Sequence, residues 1–230
     1  MTSDLCEELR TTSTAMGVEF FGIAPAAGFE NADYQGNRPR GIMPAADSVI
    51  VLAVKVPRGC IEPLPQARAE YTNTLLAGTV TLRLAAFRLA QALESKGHRA
   101  SVIPIEGSEF GYWYADKETL KADVSVKYAA YLAGMGRYGV SNLLLLPEIG
   151  PRVRMTAVVT DAVLEKGAPL QGFKDPRCED CLACVKVCPA GALHADGSIS
   201  RHGCKEYMFS TLEGLRCGLC VKACVDVFER

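Results

Sequence analysis

The sequence has almost no excess of charge of either sign. It contains 25 Lys and Arg residues against 26 Asp and Glu residues, for a formal net charge of −1. Surfaces that bind nucleic acid through bulk charge are strongly basic. The sequence also lacks any run of 18 apolar residues, the length that a membrane-spanning helix requires. We therefore expect neither a nucleic acid nor a membrane as a partner.

The sequence also lacks a recognisable signal peptide and low-complexity segments. The first residues, Met-Thr-Ser-Asp-Leu-Cys-Glu-Glu, are acidic and lack the charged-then-apolar layout of a signal peptide, and no twin-arginine pair precedes an apolar stretch. The 230 residues contain no low-complexity segment and no internal repeat apart from two cysteine runs. A chain of this length is expected to form one domain or two.

Cysteine, in contrast, is abundant, and seven of the ten cysteines stand in two runs. The first run, over residues 178–189, reads C-E-D-C-L-A-C-V-K-V-C-P. The second, over residues 217–224, reads C-G-L-C-V-K-A-C. The first run has the bacterial ferredoxin spacing, in which three cysteines bind one 4Fe–4S cluster and the fourth binds a second cluster. The sequence therefore predicts two 4Fe–4S clusters.

The spacing rule assigns four thiolates to the first cluster and leaves the second cluster one thiolate short. Gly214 occupies the position three residues before Cys217, where an ordinary two-cluster ferredoxin would have a cysteine. Cys204 lies nearby and has no other assignment, so we predict that it completes the second set. The predicted ligands are Cys178, Cys181, Cys184 and Cys224 for the first cluster, and Cys188, Cys204, Cys217 and Cys220 for the second.

Structural zinc is the alternative for these cysteines, because paired Cys-x2-Cys motifs also bind zinc. Zinc sites rarely need three cysteines at successive x2 spacing followed by Cys-Pro, so the pattern favours iron–sulfur clusters. Thiolate clusters persist best in a reducing compartment, which predicts a cytoplasmic protein. The two remaining cysteines, Cys6 and Cys60, are predicted to be structural.

The part of the chain before the cysteine runs alternates between helical and strand patterns. Linker composition at residues 167–176 predicts a boundary between domains 1–166 and 167–230. The predicted fold class is an α/β (α+β) N-terminal domain, which binds a cofactor or substrate, followed by a ferredoxin-like domain with two 4Fe–4S clusters. The patterns predict helices over residues 3–16, 66–95 and 125–132, and strands over residues 20–24, 48–56, 100–105, 143–146 and 152–161.

Two segments of the N-terminal part are candidates for contact with a ligand. Tyr112, Trp113 and Tyr114 stand together in a loop, where they line a pocket for a flat ligand or simply pack. The glycine-rich turn Ala133–Gly139, with glycines at 134, 136 and 139, lacks the G-x-G-x-x-G spacing of dinucleotide-binding proteins. Its small residues allow close approach of either a cofactor or a neighbouring element.

Several segments together resemble the epoxyqueuosine reductase family and its shorter relatives. They are F-F-G-I-A from Phe20, M-P-A-A-D-S-V-I-V-L from Met43, S-V-K-Y-A-A-Y-L-A-G-M-G-R-Y-G from Ser125 and L-L-L-L-P-E-I-G-P-R-V-R-M-T-A-V-V-T-D from Leu143. The order of the cysteines, with a separate Cys204, is also similar. The resemblance implies that the N-terminal domain binds cobalamin and that the clusters reduce its cobalt. Reductive dehalogenases share this arrangement.

Two departures from that family shape the expected substrate. Epoxyqueuosine reductases continue into a helical-repeat domain for tRNA, whereas this sequence ends at Arg230, so we do not expect tRNA epoxyqueuosine reduction. The family's glycine turn usually reads G-W-I-G-K-N, and Arg137, Val140 and Ser141 replace its Trp, Lys and Asn. Because a guanidinium binds anionic groups in bidentate fashion, Arg137 predicts a ligand with an anionic group.

The favoured function is an iron–sulfur reductase in which electrons pass through both clusters to a cofactor or substrate. That acceptor is cobalamin or another flat redox ligand, bounded by the aromatic loop and by Gly134, Gly136, Arg137 and Gly139. Candidate catalytic residues are Asp123 and Lys127, as proton donors, and Tyr138. One alternative is an electron-transfer protein that delivers electrons to a separate corrinoid or radical enzyme. Another is a non-redox protein whose clusters only stabilise the fold.

The expected partners are an electron donor or acceptor protein and a small-molecule ligand.

Overall fold

The computed structural model describes residues 2–105 and 116–228 and divides the chain into two compact units. The first unit comprises residues 1–54, 79–135 and 155–169, and the second comprises residues 55–78, 136–154 and 170–230. Each unit is assembled from segments that are distant in sequence. The single boundary predicted between residues 166 and 167 stays a prediction.

The first unit is built around a four-stranded sheet with the strand order β1-β2-β6-β3. Strand β1 pairs antiparallel with β2, and β3 pairs antiparallel with β6. A separate two-stranded ribbon, β4-β5, belongs to the second unit. The strands are β1 Phe20–Pro25, β2 Ser48–Lys55, β3 Ala100–Ile103, β4 Arg137–Tyr138, β5 Leu144–Leu145 and β6 Val153–Thr160.

Seven α-helices accompany the strands in the described part of the chain. Gly17 and Gly97, with φ of +85° and +84°, follow the ends of α1 and α3, where glycine commonly ends a helix. No described helix has the length and apolarity to cross a membrane. The helices are α1 Thr2–Ala15, α2 Pro39–Ile42, α3 Arg68–Ser95, α4 Val126–Leu132, α5 Ala183–Lys186, α6 Arg201–Glu206 and α7 Leu219–Phe228.

The core of the first unit lies between the sheet and one face of α3. Leu82, Leu89 and Leu93 are fully buried and recur at helical spacing along that face. Strand β2 is buried from Ser48 to Val54, which explains its continuous apolar sequence. The predicted mixed α/β fold class is confirmed, and the predicted elements agree with the observed ones to within a few residues.

The two cysteines outside the runs lie in apolar surroundings. Cys6 is half-buried and packs against the core of the first unit. Cys60 is buried in a cluster of the second unit with Ile61, Leu64 and Tyr71, and its Sγ donates to the Pro57 carbonyl oxygen at 3.1 Å. Both positions agree with the predicted structural roles.

The burial pattern of α3 predicts very different costs for two leucines that are two residues apart. Leu82→Ala removes a fully buried side chain and should lower the free energy of unfolding by about 2–5 kcal/mol, through lost burial and a cavity. Leu84 is 56% exposed, so Leu84→Ala should change it by no more than about 0.5 kcal/mol. Chemical denaturation of the two variants at matched iron content measures the difference, and equal costs would contradict this packing of α3.

Candidate iron–sulfur site

Cys178 lies at the end of a short 3-10 turn whose start is fixed by Asp175. The Asp175 carboxylate accepts a hydrogen bond from the backbone N–H of Arg177 at 3.0 Å and so caps the turn Pro176–Cys178. The Cys178 N–H in turn donates to the Asp175 carbonyl oxygen at 3.0 Å. The position of the first cysteine is therefore set by local hydrogen bonds.

The rest of the first cysteine run wraps around α5. Leu182 adopts a left-handed conformation with φ of 46°, which turns the chain between Cys181 and Cys184. Cys184 is buried within α5, and Cys188 follows after its end. The Cys188 Sγ accepts a hydrogen bond from the Ala192 N–H at 3.3 Å.

The remaining cysteines come from α6, from α7 and from the loop before α7. The Ser200 hydroxyl caps α6 by accepting the Gly203 N–H at 3.2 Å, and this helix carries Cys204. Cys220 and Cys224 are four residues apart on α7, which places them on the same helix face. Helix α7 packs against α5, so the two cysteine runs meet.

Thiols of both runs lie close enough to raise one another's pKa. Cys224 interacts with Cys178, Cys181 and Cys184. Cys204 interacts with Cys188 and Cys217, and Cys220 interacts with Cys217 and Cys204. The two predicted ligand sets, called below the first and second thiol groups, are Cys178, Cys181, Cys184 and Cys224; and Cys188, Cys204, Cys217 and Cys220. Which thiols bind which cluster stays a prediction.

The groups adjoin each other, and their surroundings disfavour bare thiolates. Removal from water, followed by the charges of neighbouring thiols, raises the pKa of Cys220 and of Cys224 to about 12. Burial likewise raises the pKa of Cys178, Cys184 and Cys204. A positively charged metal centre would offset both effects, and its binding would release the thiol protons. Cys220 also interacts with Cys184 and Cys224, which places the two groups next to each other.

All eight donors are thiols, the ligands that 4Fe–4S cubes require. A cube binds its four thiolates at four different iron atoms, whereas a structural zinc site needs four ligands around one point. Among the described residues, no group of three or more His, Cys, Asp or Glu side chains is placed to hold a single metal ion.

Apolar side chains surround the thiols. Val140, Cys184 and Leu193 are buried together, and further apolar residues of the second unit pack against them: Leu182, Val185 and Ile199. Such a shell excludes water, and solvent exposure is one determinant of the potential of an iron–sulfur cluster.

The predicted ligand-binding turn contacts other parts of the protein. A Cβ added at Gly134, whose φ is +75°, would lie 2.3 Å from the Ala168 carbonyl oxygen. One added at Gly136 would lie 2.3 Å from the Leu145 carbonyl oxygen. The close approach of a neighbouring protein segment therefore explains why both positions are glycine. This was one of the two explanations that the sequence offered, the other being a cofactor. The cofactor role of the turn stays a prediction.

The other residues of this turn also have protein neighbours. The Arg137 Nε donates to the Gln171 carbonyl oxygen at 2.8 Å. Tyr138 is buried and stacks on Phe173, with ring centroids 4.6 Å apart. A Cβ at Gly139 would meet the Leu145 side chain at 3.1 Å. The predicted aromatic loop, Tyr112, Trp113 and Tyr114, lies outside the described residues.

The two predicted proton donors flank the start of α4 in the first unit. Asp123 is exposed in the bend before the helix, and Lys127 is half-buried in its first turn. The Ser125 hydroxyl caps this helix by accepting the Tyr128 N–H at 3.3 Å. The structure thus brings Asp123 and Lys127 to one helix end, and their catalytic roles stay predictions.

An aromatic group beside this helix end is absent from the sequence predictions. The rings of Tyr34 and Tyr128 stack with centroids 4.3 Å apart, and Phe29 packs edge-on against both at 5.2 Å. Burial raises the pKa of both tyrosines, which keeps their hydroxyls protonated. The only local signal in the sequence is the spacing of Tyr128 and Tyr131 on one face of α4.

Comparison with known proteins identifies the region that contains both cysteine runs. Residues 177–226 match the family described as 4Fe-4S dicluster domain. This segment is a 4Fe–4S dicluster domain. It contains all eight members of the two thiol groups.

Relatives of the chain share both its sequence and its fold. The epoxyqueuosine reductase of Listeria monocytogenes is 33% identical over 94 residues, which are 41% of this chain and 23% of that protein. An epoxyqueuosine reductase solved with a tRNA stem loop is 22% identical, with a TM-score of 0.68, over 97% of this chain and 65% of that one. A reductive dehalogenase whose structure suggests a mechanism for B12-dependent dehalogenation is 19% identical, with a TM-score of 0.70, over 94% and 31%.

These likenesses confirm the predicted resemblance and the fold. The matched segment spans about a quarter of the curated relative, and this chain covers just under two thirds of the epoxyqueuosine reductase structure. The activities of those proteins therefore enter only as proposals for this chain.

The dicluster domain is hydrogen-bonded to residues 62–72, a segment that includes the first turn of α3. The Lys222 Nζ donates to the carbonyl oxygens of Glu62 and Leu64, each at 2.6 Å. The Arg216 N–H donates to the Thr72 hydroxyl at 2.8 Å. Gly218, with φ of +69°, lies so close to Tyr71 and Leu64 that a Cβ would stand 2.6–2.7 Å from them. The stretch from Arg216 to Lys222, which carries Cys217 and Cys220, thus forms hydrogen bonds to this segment at both of its ends.

The packing of the glycine turn can be tested without any ligand. Gly136→Ala should lower the free energy of unfolding by about 1–3 kcal/mol, because the new methyl group would overlap the Leu145 carbonyl oxygen. In the control Gly41→Ala, nothing lies within 4 Å of the added Cβ, and no loss is expected. Chemical denaturation measures both variants. A Gly136→Ala protein as stable as the control would show that the turn does not need glycine for packing.

Proposed function

We propose that this chain is an iron–sulfur reductase in which electrons pass through two 4Fe–4S clusters to a redox ligand or substrate held by the N-terminal α/β part. The first thiol group would bind one cluster and the second thiol group the other. The observation that carries the proposal is the match of residues 177–226 to a dicluster domain, in which the packing of α5 against α7 brings the two cysteine runs together.

When bound, each cluster would supply a site that takes up and releases one electron. The protein's part is to bind, orient and insulate that site. The Ala192 N–H points at the Cys188 sulfur, and a Val140 backbone hydrogen bond reaches the Cys178 sulfur. Both donors stabilise negative charge on sulfur, which tunes the potential of a cluster. Because the thiol groups adjoin, a relay between them would be short.

The electron acceptor is proposed as a flat redox ligand or the substrate itself. Cobalamin is the first compound to test, because the family resemblance implies it and because a reductive dehalogenase of the same fold is linked to B12-dependent dehalogenation. Among the described residues that were predicted to line the ligand pocket, Gly134 and Gly136 face protein backbone, and Arg137 donates a hydrogen bond to a carbonyl oxygen. These residues do not form a cradle for a corrin ring, so no step through cobalamin is assigned to them.

Proton delivery is assigned to the start of α4. Asp123 is exposed there, and Lys127 stands in the adjacent first turn, so both can reach a ligand bound at that helix end. The proposed partners are an electron donor or acceptor protein and a small-molecule ligand, without nucleic acid. The proposed compartment is the cytoplasm, whose reducing conditions preserve thiolate clusters.

The proposal predicts the metal content and the redox behaviour of the protein. Anaerobically reconstituted protein should contain about eight iron and eight sulfide per chain, and reductant should give two paramagnetic signals. Titration of the reduced protein with hydroxocobalamin and with flavins should oxidise the clusters and change the spectrum of the ligand that serves as acceptor. Four iron per chain, or zinc without iron, would contradict the proposal. Two reducible clusters that transfer electrons to none of these ligands would leave an electron-transfer protein instead.

The assignment of Cys204 to the second thiol group is tested separately. Cys204→Ser should lower the iron content from about eight towards about four per chain and remove one of the two paramagnetic signals. Cys60→Ser is the matched control, because Cys60 is buried but belongs to neither thiol group. Full iron content and unchanged signals in the Cys204 variant would refute this ligand assignment.

A further inference from the structure

An ion pair between a buried carboxylate and a half-exposed guanidinium lies directly before Cys178. Asp175 is 2% exposed, and its two carboxylate oxygens accept from the Nε and Nη2 of Arg177, both at 2.8 Å. This is the bidentate geometry that gives an arginine–carboxylate pair a fixed orientation. Because Asp175 also caps the turn that ends at Cys178, the guanidinium of Arg177 is fixed relative to that cysteine.

The same guanidinium contacts the last turn of α7. Its Cζ lies 3.7 Å from the centre of the Phe228 ring, within the range of a cation–π contact. The ring also packs on Gly150, whose φ is +56° and where an added Cβ would lie 3.0 Å from the Phe228 Cγ. Phe228 is therefore held between a loop of the second unit and the side chain next to Cys178.

Helix geometry connects this contact to the first thiol group. Cys224 precedes Phe228 by four residues, so the two side chains occupy the same face of α7. Arg177 immediately precedes Cys178 in the chain. The contact between Arg177 and Phe228 thus joins the two members of the first thiol group that are furthest apart in sequence.

We infer that Asp175, Arg177 and Phe228, called here the Arg177 clamp, are positioning residues that hold Cys224 against the Cys178 turn before iron binds. The inference rests on the proposed function. Without the clamp, the binding of a cube would have to close the chain between Cys178 and Cys224, which costs conformational entropy. Cys217 of the second thiol group is held by other contacts, those of its neighbours Arg216 and Gly218.

The test is the selective loss of iron from one cluster. In Phe228→Leu, release of iron to a strong chelator should become roughly two- to five-fold faster for one cluster, the fold-change expected from a lost cation–π contact at a partly exposed site. The paramagnetic signal of that cluster should decay first, and the other should persist. Phe228→Tyr keeps the ring and should restore the wild-type rate. Arg177→Lys keeps the charge but loses the bidentate fork, and should behave like Phe228→Leu.

Val227→Ala is the matched control, because Val227 is the adjacent residue on α7 and is 42% exposed. It should leave both release rates unchanged. Wild-type rates in Phe228→Leu and Arg177→Lys, or equal acceleration of both clusters, would overturn the clamp while leaving the proposed function intact. Wild-type protein that never binds about eight iron would instead overturn the proposed function itself.

Discussion

The eight cysteines of the dicluster domain lie together in the second unit, four of them in or against one apolar cluster, and this constraint organises the structure around them. Burial and the charges of neighbouring thiols raise the pKa of Cys220 and Cys224, so that their thiolates are unfavourable there without a compensating positive charge. Capped turns, backbone N–H groups and packed helices hold the cysteines in place.

Two sets of contacts support the thiol groups. The Cys178 turn depends on Asp175, which acts both as a cap and as the partner of Arg177. The loop with Cys217 and helix α7 depend on the segment from Glu62 to Thr72, which binds Arg216 and Lys222 from the opposite part of the chain. These supports explain why the second compact unit includes residues 55–78 and 136–154 as well as the C-terminal region. A dicluster domain defined by its cysteines alone omits the residues that hold it.

Much of the fold could be predicted from local patterns. Strand β2 has a continuous apolar sequence because it is buried from Ser48 to Val54. Helix α3 has leucines and alanines at helical spacing because one of its faces packs against the core. The sheet order and the composition of the two compact units could not be read in this way. Both depend on which surfaces of distant segments are complementary, and no local period encodes that complementarity. The stacked pair Tyr34 and Tyr128 was missed for the same reason.

The spacing of the cysteines by itself predicts the thiol sets, because the short spacings within each run restrict which sulfurs can reach one cube. Cys204 is predicted as the remaining ligand, since Gly214 occupies the corresponding position of the repeat. Only the tertiary structure shows what packs against two glycines of the turn: Gly134 and Gly136 accommodate the carbonyl oxygens of Ala168 and Leu145. A glycine permits close approach of anything, so its sequence position cannot say whether a ligand or a backbone fills the space. Likewise, the contact of Arg177 with Phe228 exists only because folding brings the end of α7 to the start of the cysteine run.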